Sequence, residues 1–167
     1  MSTSSAPYFF LSYSREDTAK QKRIVRELRE RGINVWVDIE NLTPGTPTWE
    51  REIEKAIRGS TGIVVLLSPE SNNSEWVRRE ISFGEQHRKR IFPVLIEGDD
   101  HTSTPLRLVS HQRVDLRTKF ESGLDELAAA CALTFYDMAM GERWARRDAA
   151  LKRAQAILKA TETHHAA

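Results

Sequence analysis

Five short apolar runs, separated by stretches whose apolar residues recur at helical intervals, restrict this chain to few folds. The runs are residues 8–13 (YFFLSY), 33–37 (INVWV), 63–67 (IVVLL), 91–96 (IFPVLI) and 113–116 (RVDL). The third is unbroken, as expected of a central strand covered on both faces. Pro93 interrupts the fourth; lacking an N–H for a ladder, it is expected to weaken or displace part of that strand. The fifth is the shortest and belongs at an edge. Between the runs the period is helical. Residues 17–31 set Ile24, Val25 and Leu28 against a lysine- and arginine-rich face, and Gly32 suits the stop. Thr46 reads as an N-cap with Pro47 at the first helical position, ahead of a stripe of Trp49, Ile53, Ala56 and Ile57. Residues 72–74 (NNS) supply capping side chains for a helix over 75–88 that carries Val77, Ile81 and Gly84.

Strands alternating with helices predict an α/β fold, a five-stranded parallel sheet with helices on both faces. The flavodoxin-like strand order 2-1-3-4-5 is the expected one. Residues 97–112 are long for a simple connection. From Phe120 the chain reads as helix over 124–136 and again over 142–161, broken near Gly141. The expected division is a flexible N-terminus (1–7), one α/β domain (8–135) and a C-terminal helical extension or linker (136–167).

Composition removes several classes of function. A length of 167 residues holds one core and an appended helix. Apolar residues at 40% and charged residues at 29% are the balance of a soluble globular chain. The net charge of +1 gives no global field for nucleic acid or an anionic membrane. One cysteine, Cys131, excludes an intramolecular disulfide and sits in an apolar run, as a buried structural thiol would. Residues 1–7 lack the charged and apolar regions of a secretory signal, no run spans a bilayer, and a cytoplasmic location is expected. His87, His101, His111, His164 and His165 have no metal-ligand spacing, so no metal is expected.

In a parallel open sheet, ligands bind beyond the carboxyl ends of the strands where the order reverses, here between the first and third. The segments emerging there are 12–17 (SYSRED) and 68–80 (SPESNNSEWVRRE). Both offer hydroxyls and backbone N–H groups to a phosphate-bearing ligand. The carboxylates of the third long helix differ among themselves. Glu75 has Arg78 and Arg79, and Glu85 has Arg88 and Lys89, at the spacing of ordinary solvated pairs. Glu80 instead has Trp76, Val77, Phe83 and Gly84 one turn away, so it projects from the apolar side with no cation at helical spacing. A carboxylate so placed is costly unless something offsets it, and such groups concentrate at functional sites. The plainer reading is an edge glutamate hydrogen-bonded to a loop.

At these residues the sequence resembles the TIR domain over about residues 8–116. FFLSYSREDT (9–18) is similar to the family's first-strand motif. VWVDIENLTPGTPTWEREIEKAI (35–57) resembles its BB loop and second helix, and VVLLSPESNNSEWVRREI (64–81) keeps a Ser-x-Trp-x-x-x-Glu spacing. Many TIR domains cleave NAD+ between nicotinamide and ribose, with an essential glutamate four residues after a tryptophan. By that resemblance Glu80, after Trp76, is the catalytic residue, and NAD+ is a substrate rather than a cofactor. Tyr13, Ser14, Arg15, Ser68 and Trp76 are the expected substrate contacts. For Arg15 the alternative is a surface pair with Glu16 or Asp17, and for Trp76 simple packing. Trp49 is expected in the core. The resemblance makes Asp38, Pro44 and Gly45 of the BB loop residues of head-to-tail assembly with other TIR protomers, whereas ordinary turn chemistry explains them equally. The family's Phe-Trp pair near the last strand is absent, since 107–116 holds no aromatic residue.

Two functions follow. One is an NAD+ glycohydrolase or ADP-ribosyl cyclase of bacterial, anti-phage immunity, switched on by self-assembly or by a partner such as a sensor domain. The other is a non-catalytic module that docks TIR to TIR. The Trp76-to-Glu80 spacing favours the first. A phosphoacceptor regulator on the same fold fails, because serines stand where its acidic residues would be (Ser12, Ser14 and Ser68).

Overall fold

The computed structural model describes residues 6–38 and 45–165, with side chains through residue 156. Each apolar run forms a strand: β1 (Phe9–Ser12), β2 (Val35–Trp36), β3 (Gly62–Leu67), β4 (Arg90–Leu95) and β5 (Val114–Asp115). They make one parallel sheet in the order β2-β1-β3-β4-β5. β3 is buried along its whole length, and the edge strands β2 and β5 keep two residues each.

Pro93 does not displace β4. Leu95 C=O accepts from Leu116 N–H on the β5 side, while Ile96 N–H donates to Leu67 C=O on the β3 side. Alternation therefore turns residue 93 toward β5, where pairing begins only at Val94. The missing N–H falls where no ladder bond is made, so the strand runs through it intact.

The helices are α1 (Thr18–Glu30), α2 (Pro47–Gly59), α3 (Pro69–Asn73), α4 (Glu75–Gln86), α5 (Asp100–Ser103) and α6 (Phe120–His165). Thr46 caps α2, its hydroxyl accepting from Trp49 N–H, with Pro47 next. The capping run at 72–74 divides its duties. Residues 69–73 form α3, opened by a reciprocal Ser68–Ser71 capping box, and Ser74 alone caps α4 by accepting from Val77 N–H. The long connection after β4 folds into α5 and a 3-10 turn at Leu106–Leu108, which buries Leu108.

Phe10, Ile63, Val65, Leu67, Ile91 and Leu95 form one face of the sheet and pack with Trp49, Ile53, Ile57, Val77 and Ile81 of α2 and α4. Residues of opposite parity, among them Phe9, Leu11, Val64, Leu66 and Val94, are buried on the other face. α1 and the start of α6 are tied together by Arg31, which meets Glu121 at 2.9 Å and Asp125 at 2.8 Å. Leu124, Leu127 and Cys131 of α6 are buried, and burial pushes the Cys131 thiol up to about 12. On α4, a Cβ at Gly84 would fall 2.1 Å from Ile63 Cδ1, so the glycine lets this helix lie close against β3.

The break expected at Gly141 is absent: α6 continues through it. Glycine inside a helix costs about 1 kcal/mol relative to alanine but does not stop it. A stop of the kind made by Gly32 uses a positive φ, which Gly32 has (80°) and Gly141 does not. The chain divides into two units, residues 1–132 and 133–167. The second is helix throughout its described residues, exposes Tyr136, Trp144 and Leu151, and carries i,i+4 ion pairs Glu142–Arg146 and Asp148–Lys152. Among the described residues, no helix is long and apolar enough to cross a membrane.

Candidate functional site

The parity that sends Phe10 toward α4 also sends Ser12, at the carboxyl end of β1, to that face. Glu80 reaches the same place because its neighbours along the helix, Val77, Ile81 and Gly84, are held against the sheet. The Ser12 hydroxyl donates to Glu80 Oε2, and both residues are buried, Glu80 to 6% exposure. The turn after β1 then supplies Tyr13, Ser14 and Arg15; the chain after β2 supplies Asp38. Gly45, Trp49 and Glu50 come from the entry to α2, and Trp76 and Arg79 from α4. Together with Glu80, these residues line a cleft of about 510 Å³.

The walls of the cleft are ordered by a few contacts. Trp49 and Trp76 stack with centroids 4.1 Å apart. Trp49 Nε1 donates to both Asp38 oxygens at 2.9 Å, and Arg15 pairs with Asp38 at 3.1 Å. Arg15 also sits 5.9 Å from the Trp49 ring centroid. The Arg15 partner is thus Asp38, across the cleft, rather than its neighbours Glu16 or Asp17. Trp49 is in the core as expected, yet one edge of it serves the cleft.

Burial pushes the Glu80 carboxyl up to about 8, the Ser12 hydrogen bond opposes that rise, the Asp38 charge adds to it, and Trp76 opposes it. The Trp76 indole N–H is close enough to favour the charged carboxylate but completes no hydrogen bond: Nε1 is buried without a partner among the described residues. Burial therefore favours the neutral form of Glu80, and any cation arriving beside it would help to ionise it.

Of the residues expected from sequence, Glu80, Tyr13, Ser14, Arg15, Trp76, Asp38 and Gly45 converge on this cleft. Ser68 does not. It is fully buried, caps α3 and donates to Asp17 Oδ2 at 2.5 Å, so it acts beneath α1 and not as a lining group. Pro44 lies outside the described residues. Sequence reasoning missed the pairing of Ser12 with Glu80 and the position of Asp38 between Arg15 and Trp49. The alternation of β1 could have found the first: Ser12 shares its face with Phe10. Nothing local could have found the second, because its partners lie 23 and 11 residues away.

A second polar cluster forms where Asp17, Glu70 and Glu97 bring carboxylate oxygens within 4.8 Å of one another. Ser68 already engages Asp17 and Lys20 already engages Glu97. The donors are of a kind that hard cations accept, but two of the three are spoken for within the chain.

The family comparison and the comparison with solved structures point to the same domain. The family model described as the TIR domain matches residues 9–128. The solved TIR domain of the Toll-related receptor TRR-2 from Hydra magnipapillata is similar, with a TM-score of 0.58 and 23% identity, covering 72% of this chain and 97% of that one. The TIR domains of the activated Roq1 resistosome, described as directly recognizing the pathogen effector XopQ, give a TM-score of 0.55 and 22% identity over 75% and 99%. At such identities the likeness is one of fold. A search of curated proteins finds no match.

Proposed function

Because the chain belongs to the TIR domain family, we propose that it cleaves NAD+ at the nicotinamide–ribose bond, with Glu80 as the catalytic residue. The observation that carries this reading is a glutamate buried to 6% exposure at the base of an aromatic-walled cleft. A carboxylate in that position suits one task above others, which is to stabilise positive charge developing on a bound sugar.

The chemistry asks little else of the protein. Nicotinamide in NAD+ is cationic and leaves neutral, so no general acid is needed. The C–N bonding pair passes to the pyridine nitrogen, and an oxocarbenium-like ribosyl centre remains beside Glu80. Water adds to that centre and gives up a proton, which yields ADP-ribose. Attack by adenine N1 or a ribose hydroxyl of the same ligand yields a cyclic isomer instead. The stacked indoles exclude bulk water from one wall, where electrostatic effects are then stronger. In this reading Arg15, paired with Asp38 and largely exposed, exchanges that partner for the pyrophosphate, an anion a guanidinium can bind bidentately.

Asp38 and Gly45 line the same cleft as Glu80, so a neighbouring copy that docked on this loop would reach the reaction site. Self-assembly is therefore the proposed switch. The setting implied by the resemblance is bacterial, anti-phage immunity, with depletion of NAD+ or release of its product as the signal.

The test is NAD+ consumption by wild type and Glu80→Gln at high protein concentration, with light scattering in parallel and chromatography of the products. Loss of NAD+ in wild type alone supports the reading, and the product peak separates hydrolase from cyclase. Assembly without any loss of NAD+ would overturn it in favour of a docking module.

A further inference from the structure

β1 is short, and its first three residues, Phe9, Phe10 and Leu11, are buried and apolar. Its fourth, Ser12, is equally buried. A hydroxyl in such a position is costly unless it is hydrogen-bonded. Here it is bonded to a single carboxylate oxygen, Glu80 Oε2, which comes from a helix 68 residues further along the chain. The reaction outlined above makes no use of Ser12.

We propose that Ser12 is a positioning residue that acts through Glu80, its hydroxyl holding one carboxylate oxygen so that the group ionises in place when the cationic nicotinamide ring of NAD+ enters the cleft and its charge passes to the ribosyl centre. This rests on the reading of Glu80 as the group that stabilises the ribosyl cation. Among the described residues, the charged groups around the cleft are engaged elsewhere or disfavour the ionised form. Arg15, the nearest strand-end cation, is turned to Asp38. Arg79, on the same helix, lies over the Trp76 ring at 5.8 Å. Asp38, after β2, opposes ionisation of Glu80; Glu50, Tyr13, Ser14 and Ser74 also line the cleft, and the Ser74 hydroxyl is engaged in capping α4. Trp76 Nε1 is buried beside the carboxylate without completing a bond, a donor held in reserve for the charged form. A strand-end hydroxyl is well suited to this duty, because a strand paired on both sides, as β1 is, moves less than a loop.

Ser12→Ala removes the donor, and Ser12→Thr keeps it. In Ser12→Ala the midpoint of the kcat/KM profile for NAD+ is expected to move up by about one pH unit. The loss falls on kcat more than on KM, and Ser12→Thr restores the wild-type midpoint. A second measurement needs no turnover: urea midpoints across pH 5–9 for wild type, Ser12→Ala, Glu80→Gln and the double variant. The cost of Ser12→Ala should grow with pH when Glu80 is present and stay flat in the Glu80→Gln background. A cost equal at every pH and in both backgrounds would overturn the proposal. A pH-dependent cost in a protein that consumes no NAD+ would keep the Ser12 hold on Glu80 and remove the reaction it was proposed to serve.

Discussion

A carboxyl group buried at the base of a cleft beside an indole is set between charge and burial, and pH reports the balance. Burial is the larger influence on Glu80 and takes it from the ordinary 4.5 to about 8. Its folded value is thus above its unfolded one, so between roughly those limits the folded state keeps a proton that the unfolded chain releases. This contribution to stability is fully present below about pH 4.5 and is lost as pH rises through about 8. Glu80→Gln keeps the shape and removes the charge. It is expected to exceed wild type in stability at pH 8.5 by about 2 kcal/mol or more, with the gap closing below the ordinary glutamate range. Urea denaturation across pH measures it, and a gap that does not vary with pH would refute the burial argument. The same balance governs rate. For NAD+, kcat/KM is expected to rise with a midpoint near 8, while kcat rises at lower pH, because a bound cation favours the ionised carboxylate. A full pH–rate profile separates the two midpoints; coincident ones would mean that the ligand's charge does not reach Glu80. Glu80 was legible in the sequence because its environment is helical spacing: Trp76, Val77, Phe83 and Gly84 are all within one turn. Ser68 was legible as a polar residue after a strand, but not its direction. A strand end opens both to the cleft and to the underside of α1, and Asp17 holds Ser68 on the second side.

At the scale of elements, local rules held wherever the competing force was also local. Thr46 with Pro47 and the stripe behind them gave α2 directly. The strand order was legible because parallel strands joined by helical crossovers have few arrangements. α3 escaped because its capping box involves two serines inside a segment that reads as loop, and five residues are too few to show a period. Two helix ends offer a matched test of backbone strain. Gly32 closes α1 at a φ of 80°, and a Cβ there would meet nothing within 4 Å, so any cost of Gly32→Ala is purely conformational. Arg88 follows α4 at a φ of 55°, the left-handed region, without being glycine. Gly32→Ala is expected to destabilise by about 1 kcal/mol and Arg88→Gly to stabilise by up to about the same. Thermal unfolding of both variants checks this. If Arg88→Gly were destabilising, the Arg88 side chain would have to contribute more than its backbone costs.

For the molecule as a whole, the buried apolar side chains among the described residues run from Phe9 to Cys131, all within the unit of residues 1–132. The second unit adds helix without adding to that set, and its ion pairs, Glu142–Arg146 and Asp148–Lys152, are surface pairs worth about 0.3 kcal/mol each. Sequence periodicity showed the helix but not its continuity, because a glycine ends a helix in the manner of Gly32 by taking a positive φ, which residue spacing does not reveal. A chain ending at Tyr136 should therefore fold as well as the longer one. Its melting temperature is expected to stay within about 2 °C, since no side chain described as buried is removed and surface changes are usually small. Tryptophan emission gives an independent check. Of the four tryptophans, Trp49 is 4% exposed and Trp144 is 61% exposed. Deleting residues 137–167 removes the water-facing one, so the emission maximum should move to shorter wavelength while the fold persists. A red shift together with a lower melting temperature would mean that the core of residues 9–131 needs the rest of α6 to close.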